Sequence, residues 1–348
     1  MKKYRRILCF IYCCVVMLNL PCVAFASNQD MHRIIGENNG YIVNEYNDLT
    51  AKKIKRSYSK ADGSPQLFNL SKTNCQLIRQ LLLDLGMDED VVNKYTFSEL
   101  LSFATADYIT TEEAYLIIGE DGVQEYVTEA EAENIVAQSR SSNSSNYSDG
   151  ILKLIVSYTI SGTSNHLFTS TAEWLCLPAV GGSCPESLGV TVKGYTLDSN
   201  TMYAWLMTKY QDWTNTEYGP FYDEYHYTTL AHRNLFRGLA CGNYEGAVIK
   251  FVLPSDEYVN GIPSRIYTKF KEYIQVYGSP EQPELIYNGK VVASHSKTIS
   301  SLSFNPSIEL NVGGGSSGFG IDGGITFNPS FSSEITNRGI PLNFTYTP

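Results

Sequence analysis

Ile151-Leu-Lys-Leu-Ile-Val-Ser-Tyr-Thr-Ile160 decides how this chain is read. The segment is dense in residues branched at Cβ and carries an aromatic. Such side chains lose rotamer freedom in a helix and suit a pleated surface, so the stretch predicts a β-strand. Residues 189–197, 247–253 and 266–276 have the same character and are separated by Gly, Pro, Asn and Ser. Segments 200–210 and 228–237 fit short helices or further strands. Many short strands with turn-rich spacers predict an antiparallel sandwich over 151–348.

Upstream, the pattern is helical. Leu77, Ile78, Leu81, Leu82 and Leu85 recur at helical spacing, and Gly86 suits the left-handed residue that ends a helix. Thr96-Phe-Ser-Glu99 is a capping box, in which hydroxyl and carboxylate each satisfy the other's backbone amide. Thr128-Glu-Ala-Glu131 repeats it and opens a short helix to Gln138. Thr110-Thr-Glu-Glu113 has the same form and predicts a turn or a single helical turn. Between these, Tyr115–Ile118 and Val123–Val127 predict a hairpin about the turn Gly119-Glu-Asp-Gly122. Residues 139–150, rich in Ser and Asn, have no periodicity and predict a linker. The fold class expected is therefore α+β: a small helical N-terminal region with a hairpin over 69–138, then an antiparallel β-rich, sandwich-like domain over 151–348. Residues 27–68 are expected to be a poorly ordered N-terminal segment.

Residues 1–26 predict an export signal. Lys2, Lys3, Arg5 and Arg6 precede an uncharged run ending in Ala24-Phe25-Ala26, a small-x-small cleavage pattern. Removing it takes the net charge from −10 to −14 and the cysteines from 8 to Cys75, Cys176, Cys184 and Cys241. An exported chain with an even number of cysteines permits disulfides, and Cys176 with Cys184 is the expected pair. The acidic charge excludes an extended basic face for nucleic acid. Localisation is expected to be extracellular.

No catalytic constellation emerges. There is no G-x-S-x-G, no H-E-x-x-H and no phosphate-binding glycine loop. Cys241 is expected to be tied up in a disulfide rather than to act as a nucleophile, and no metal or other cofactor is implied. Glu173, Glu217, Asp223 and Glu224 lie among aromatics and could serve as paired carboxylates for glycoside hydrolysis only if the fold brings two of them together. The aromatic segment itself is the candidate binding surface: Trp205, Trp213, Tyr218, Tyr222, Tyr225 and His226. Tyr and Trp join apolar area to a hydrogen-bonding tip, which suits a surface glycan or a protein partner. The same residues would equally serve to fill a sheet core.

Phe304-Asn-Pro-Ser307 recurs as Phe327-Asn-Pro-Ser330 around a glycine-rich run, Gly313–Gly318. Ile308, Leu310 and Val312 alternate with polar residues, and so do Phe319 and Ile321. This predicts two strands around a turn. Residues 298–333 are almost uncharged, a property shared with strand pairs that face lipid on one side and water on the other.

Short segments, Thr96-Phe-Ser-Glu-Leu100, Gly119-Glu-Asp-Gly122 and Leu167-Phe-Thr-Ser-Thr-Ala-Glu-Trp-Leu175, resemble uncharacterised secreted proteins of Gram-positive, spore-forming bacteria over roughly 90–180. The resemblance implies a bacterial, extracellular setting and transfers no activity. Three functions compete: a non-enzymatic binder at a cell or polymer surface, which the sequence favours; a pore-forming or membrane-inserting protein using 298–333; and an extracellular carbohydrate hydrolase.

Overall fold

The computed structural model describes residues 31–36, 40–60, 72–118, 124–141, 150–162, 165–176, 185–212, 222–229, 234–238, 244–254, 256–259, 262–282, 287–298, 306–311, 324–329 and 335–346. The expected export signal, Trp213, Tyr218, Cys184, Cys241 and most of the expected linker lie outside them.

Antiparallel β-structure dominates, as expected. The first sheet has 11 strands. Its main path runs β1 (Met31–Ile35), β2 (Val43–Asp48), β3 (Lys53–Ser59), β4 (Tyr108–Ile118), β6 (Gly150–Ile160), β7 (His166–Cys176), β14 (Ile262–Pro280), β9 (Tyr195–Asp212) and β10 (Tyr222–Thr229). Two short strands, β5 (Gln124–Val127) and β13 (Glu257–Val259), pair with β4 and β14. The second sheet has 5 strands: β11 (Asn234–Gly238), β12 (Tyr244–Val252), β8 (Pro185–Lys193), β15 (Tyr287–Thr298) and β18 (Ile335–Tyr346). A two-stranded ribbon, β16 (Pro306–Asn311) with β17 (Gly324–Pro329), belongs to neither sheet.

Strand alternation sorts the side chains of the first sheet between two layers. Leu116, Leu154, Phe168, Trp174, Ala204, Leu206, Phe270 and Ile274 pack against Leu188, Val190, Val192, Ala247 and Ile249 of the second sheet. The opposite face presents Ile109, Leu167, Trp205, Met207 and Tyr273 to a helical layer. That layer is α1 (Lys72–Asp84), α2 (Glu89–Lys94) and α3 (Phe97–Ala104), which contribute Ile78, Leu82, Val92, Leu100 and Phe103. Each such large side chain contributes about 1.5–3 kcal/mol when fully buried. A fourth helix, α4 (Glu129–Ser141), closes a smaller cluster of Tyr115, Val127, Ala132 and Ile151.

Local signals behave as their chemistry dictates. Gly86 ends α1 with φ +78°, and the amide of Met87 donates to the carbonyl of Leu82. Thr96 and Glu99 complete the capping box of α3. Three expectations fail for non-local reasons. Residues 27–68 are not a poorly ordered segment throughout: β1, β2 and β3 form there, because β4 offers β3 a seven-residue ladder from Lys53↔Ala114 to Ser59↔Tyr108. Thr110–Glu113 lies within strand β4 instead of turning, since β3 and β6 flank it on both sides. Residues 139–150 do not mark a break between sheets: α4 runs to Ser141, and β4 and β6 on either side pair along their full lengths. Segment 200–210 resolves as strand, within β9.

Candidate functional site: an aromatic cleft and an amphipathic ribbon

Trp205 faces the helical layer from β9 and is only 1% exposed. It belongs to a cleft of about 350 Å³ lined by Val91, Lys94, Tyr95, Thr96, Glu99, Tyr203, Trp205, Tyr273 and Gln275. Strand alternation puts Tyr203 on the same face of β9 as Trp205, and Tyr203 is 40% exposed at the mouth. The Trp205 ring stacks on Tyr273, with centroids 5.3 Å apart and planes 29° apart. Lys94 Nζ stands 4.4 Å from the Trp205 centroid.

A chain of hydrogen bonds floors the cleft. Tyr95 Oη lies 3.1 Å from Tyr273 Oη. Tyr273 donates to Gln275 Oε1 at 2.7 Å, and Gln275 Nε2 donates to Glu99 Oε1 at 2.7 Å. The other oxygen of Glu99 accepts from the Thr96 amide and hydroxyl at 2.7 and 2.8 Å. Burial pushes the Tyr95 and Tyr273 phenols above their ordinary range, so both remain protonated donors. Burial also draws the Lys94 ammonium below its ordinary value, only partly offset by Asp90.

Beside this cleft the helices are fastened to the sheet by charge. Lys271, 1% exposed, donates to Asp88 and to Asp90, with Glu173 at 3.6 Å. Asp88 meanwhile caps α2 by accepting from the amides of Asp90 and Val91. Burial would lower the Lys271 pKa, but Asp88 and Glu173 outweigh it and hold it above the ordinary value. A second cluster centres on Glu113, which accepts from Arg56 and Lys153, each at 2.9 Å, and from Tyr115 at 2.5 Å. Burial would raise its pKa, but Lys153 and Arg56 with the Tyr115 hydrogen bond hold it below the usual carboxylate range.

These clusters bear on the hydrolase reading. Glu173 lines a second cleft of about 460 Å³ with Glu133, Lys153 and Lys269. Its carboxylate is bound by Lys269 at 2.6 Å as well as by Lys271. Two ammonium groups thus compete with any substrate for this carboxylate. Among the described residues no group of three or more His, Cys, Asp or Glu is placed to hold a metal. His166 is buried between the Tyr195 hydroxyl at 2.8 Å and the Gly162 carbonyl at 3.1 Å, a packing role.

Of the other expected binding residues, Tyr222, Tyr225 and His226 lie on β10, opposite Asp212, Lys209 and Thr208 of β9 at the edge of the first sheet. Trp213 and Tyr218 fall outside the described residues. Tyr210 is core, with Arg265 4.0 Å above its ring. Cys75 on α1 and Cys176 on β7 are not joined to each other, and Cys184 is outside the described residues. Sequence reasoning missed the contributions of Lys94, Tyr95 and Glu99, which come from α2 and α3, far from the aromatic segment in the chain. The only signal present was the capping box.

The ribbon has a different logic. Ile308 pairs with Phe327 and Leu310 with Ile325, while Ser307 pairs with Asn328 and Glu309 with Thr326. Of the second expected strand, Gly324–Pro329 lies among the described residues, and 319–323 fall outside them. In the sequence, the register belongs to a longer pattern. Leu302, Phe304, Ile308, Leu310 and Val312 occupy even positions among Ser, Asn and Glu; Phe319, Ile321, Ile325, Phe327 and Phe331 occupy odd ones among Gly, Asp, Thr, Asn and Ser. Between 298 and 333 only Glu309 and Asp322 are charged.

β15 and β18 pair with each other from Tyr287↔Tyr346 to Thr298↔Ile335. β17 lies against β8, β15 and β18. Leu188, Val190 and Val192 of β8 fill the sandwich core, so Thr191 points to the outer side, yet it is fully buried. Among the described residues its hydroxyl has no hydrogen-bond partner.

No family model matches the chain, and no curated protein matches it. Among solved structures it is similar to one titled "Pore forming protein", at 10% identity over 68% of this chain and 92% of that one, with a TM-score of 0.20. It is similar to the Clostridium perfringens NetB toxin in its membrane-inserted form, at 10% identity over 58% and 93%, TM-score 0.16. It is also similar to Clostridium perfringens delta-toxin, at 8% identity over 89% and 95%, TM-score 0.17. TM-scores this low do not establish a common fold, and the reading of the site rests on its own geometry.

Proposed function

We propose that this chain is a secreted, non-enzymatic protein that acts at a membrane surface, and that the β16–β17 ribbon is the element that enters the bilayer. One observation carries this reading. The ribbon's register sets apolar residues opposite apolar ones, on a nearly uncharged segment outside both sheets. A transmembrane hairpin needs about 9–11 residues per strand, alternating apolar and polar. Each arm of 299–334 supplies more than that. Seven residues separate β15 from β16 and five separate β17 from β18, so swinging the ribbon onto the open end of the β15–β18 ladder keeps the same residues facing one side. Single hairpins cannot satisfy their edges in lipid, so insertion requires several copies to close a barrel.

Dye release from liposomes tests it. The mature chain is expected to release an entrapped dye. Ile308→Asp with Phe327→Asp should cut release at least tenfold, whereas Thr326→Asn, on the polar side, should leave it within twofold. Intact liposomes across lipid composition and pH with the unaltered chain would overturn the proposal.

A second reading, surface binding without insertion, is favoured by the Trp205 cleft, which offers aromatic walls and a polar floor in one place. It predicts a ligand whose affinity falls when Tyr203 is truncated and is indifferent to changes in the ribbon. The hydrolase reading has no comparable support, because Glu173 is bound by two lysines.

A further inference from the structure

The Trp205 cleft already holds a cation, and it is the protein's own. Lys94 is the last residue of α2, lines the cleft and holds Nζ 4.4 Å from the centre of the indole ring. A cation over a Trp face is attracted by the ring quadrupole, more strongly once water is excluded. Tyr273 backs the same indole, Tyr203 walls the mouth, and Glu99 supplies negative charge on the floor. The lysine ammonium is a compact, strongly hydrated charge. A cation bearing methyl groups in place of N–H hydrogens loses less hydration on reaching the same ring face.

We propose that this cleft binds a methylated organic ammonium group, and that Lys94 is its built-in competitor, leaving the ring when the ligand arrives. The inference rests on the cleft being a binding site and is independent of the ribbon. A free solute and a lipid headgroup can both supply the group.

Titration of the full mature chain with tetramethylammonium or choline, followed by tryptophan fluorescence, tests it. A saturable change is expected that is absent in Trp205→Phe. Lys94→Ala should tighten binding at least fivefold, because the competitor is removed. Tyr203→Ala should weaken it at least fivefold without a change in melting temperature. The uncharged isostere 3,3-dimethylbutan-1-ol should bind at least tenfold more weakly than choline. Equal binding of that isostere, or an unchanged or weakened affinity in a folded Lys94→Ala variant, would overturn the proposal. Binding of maltose alone, lost in Tyr203→Ala, would overturn the ligand class while sustaining the cleft as a site. No response to any probe would overturn both. Sedimentation with phosphatidylcholine vesicles, using Ile308→Asp to suppress insertion, identifies the source. Vesicle binding displaced by free choline marks a headgroup, and choline binding without vesicle binding marks a solute; both outcomes support the ammonium class.

Discussion

Glu112 and Glu113 are neighbours on β4 with opposite fates. Glu113 turns to the helical side and meets Arg56 and Lys153, whereas Glu112 turns to the other face and has Lys53 at 3.2 Å. For Glu112 burial prevails over Lys53 and raises the pKa, so its ionised form weakens the fold. Glu113→Gln leaves Arg56 and Lys153 without their buried partner and should cost about 3–5 kcal/mol. Glu112→Gln should change stability by less than a third of that, and chemical denaturation at pH 7 compares the two. The pH dependence has opposite signs. The Glu113 contribution is fully present above the unfolded value near 4.5 and is lost as pH falls through its lower folded value. Glu112 favours folding below the unfolded value, and that gain is lost as pH rises through its higher folded value. Glu113→Gln should therefore flatten the acid limb of a stability profile, and an acid limb identical to that of the unaltered chain would contradict the assignment. Lys271→Met removes the cation shared by Asp88, Asp90 and Glu173. It should raise amide exchange in α2 far more than in β6, measured by hydrogen exchange.

At the scale of elements, Gly86 couples α1 to the sheet. Its φ of +78° suits glycine, and a Cβ there would stand 2.1 Å from Arg56 Nη1. Gly86→Ala should therefore disturb the Arg56–Glu113 pair as well as the helix end, and should cost more than the roughly 1–2 kcal/mol that a left-handed φ alone costs an L-residue. Elements defined by their own residues were legible in the sequence: the α3 capping box, the end of α1, the β4–β5 hairpin and the body of β6. Those supplied by distant partners were not. β1 to β3 are rich in Lys, Arg, Asn and Glu and become strands because β4 extends a ladder to them. Trp205 was legible as an aromatic of interest, but its burial required α2 and α3 to fold over β9. The Lys94 contact joins two segments more than a hundred residues apart, and no spacing rule reaches that far.

For the molecule as a whole, the proposed insertion divides the chain into a scaffold and a deployable ribbon. The two sheets share one core, and the first sheet shares another with the helical layer. Replacing 299–334 by an Asn-Gly turn should leave β15 and β18 paired and the melting temperature within a few degrees. It should also abolish dye release. A chain that fails to fold without the segment would show the ribbon to belong to the scaffold.

The most direct measurement is a solvent-sensitive fluorophore placed singly along β16 in a chain whose other mature cysteines are replaced. The substitutions Ser307→Cys, Ile308→Cys, Glu309→Cys and Leu310→Cys carry the label, and emission is read before and after adding liposomes. The account predicts blue shifts at 308 and 310 and little change at 307 and 309, the period of a strand with one face in lipid. Equal shifts at all four positions, or none at any, would contradict it.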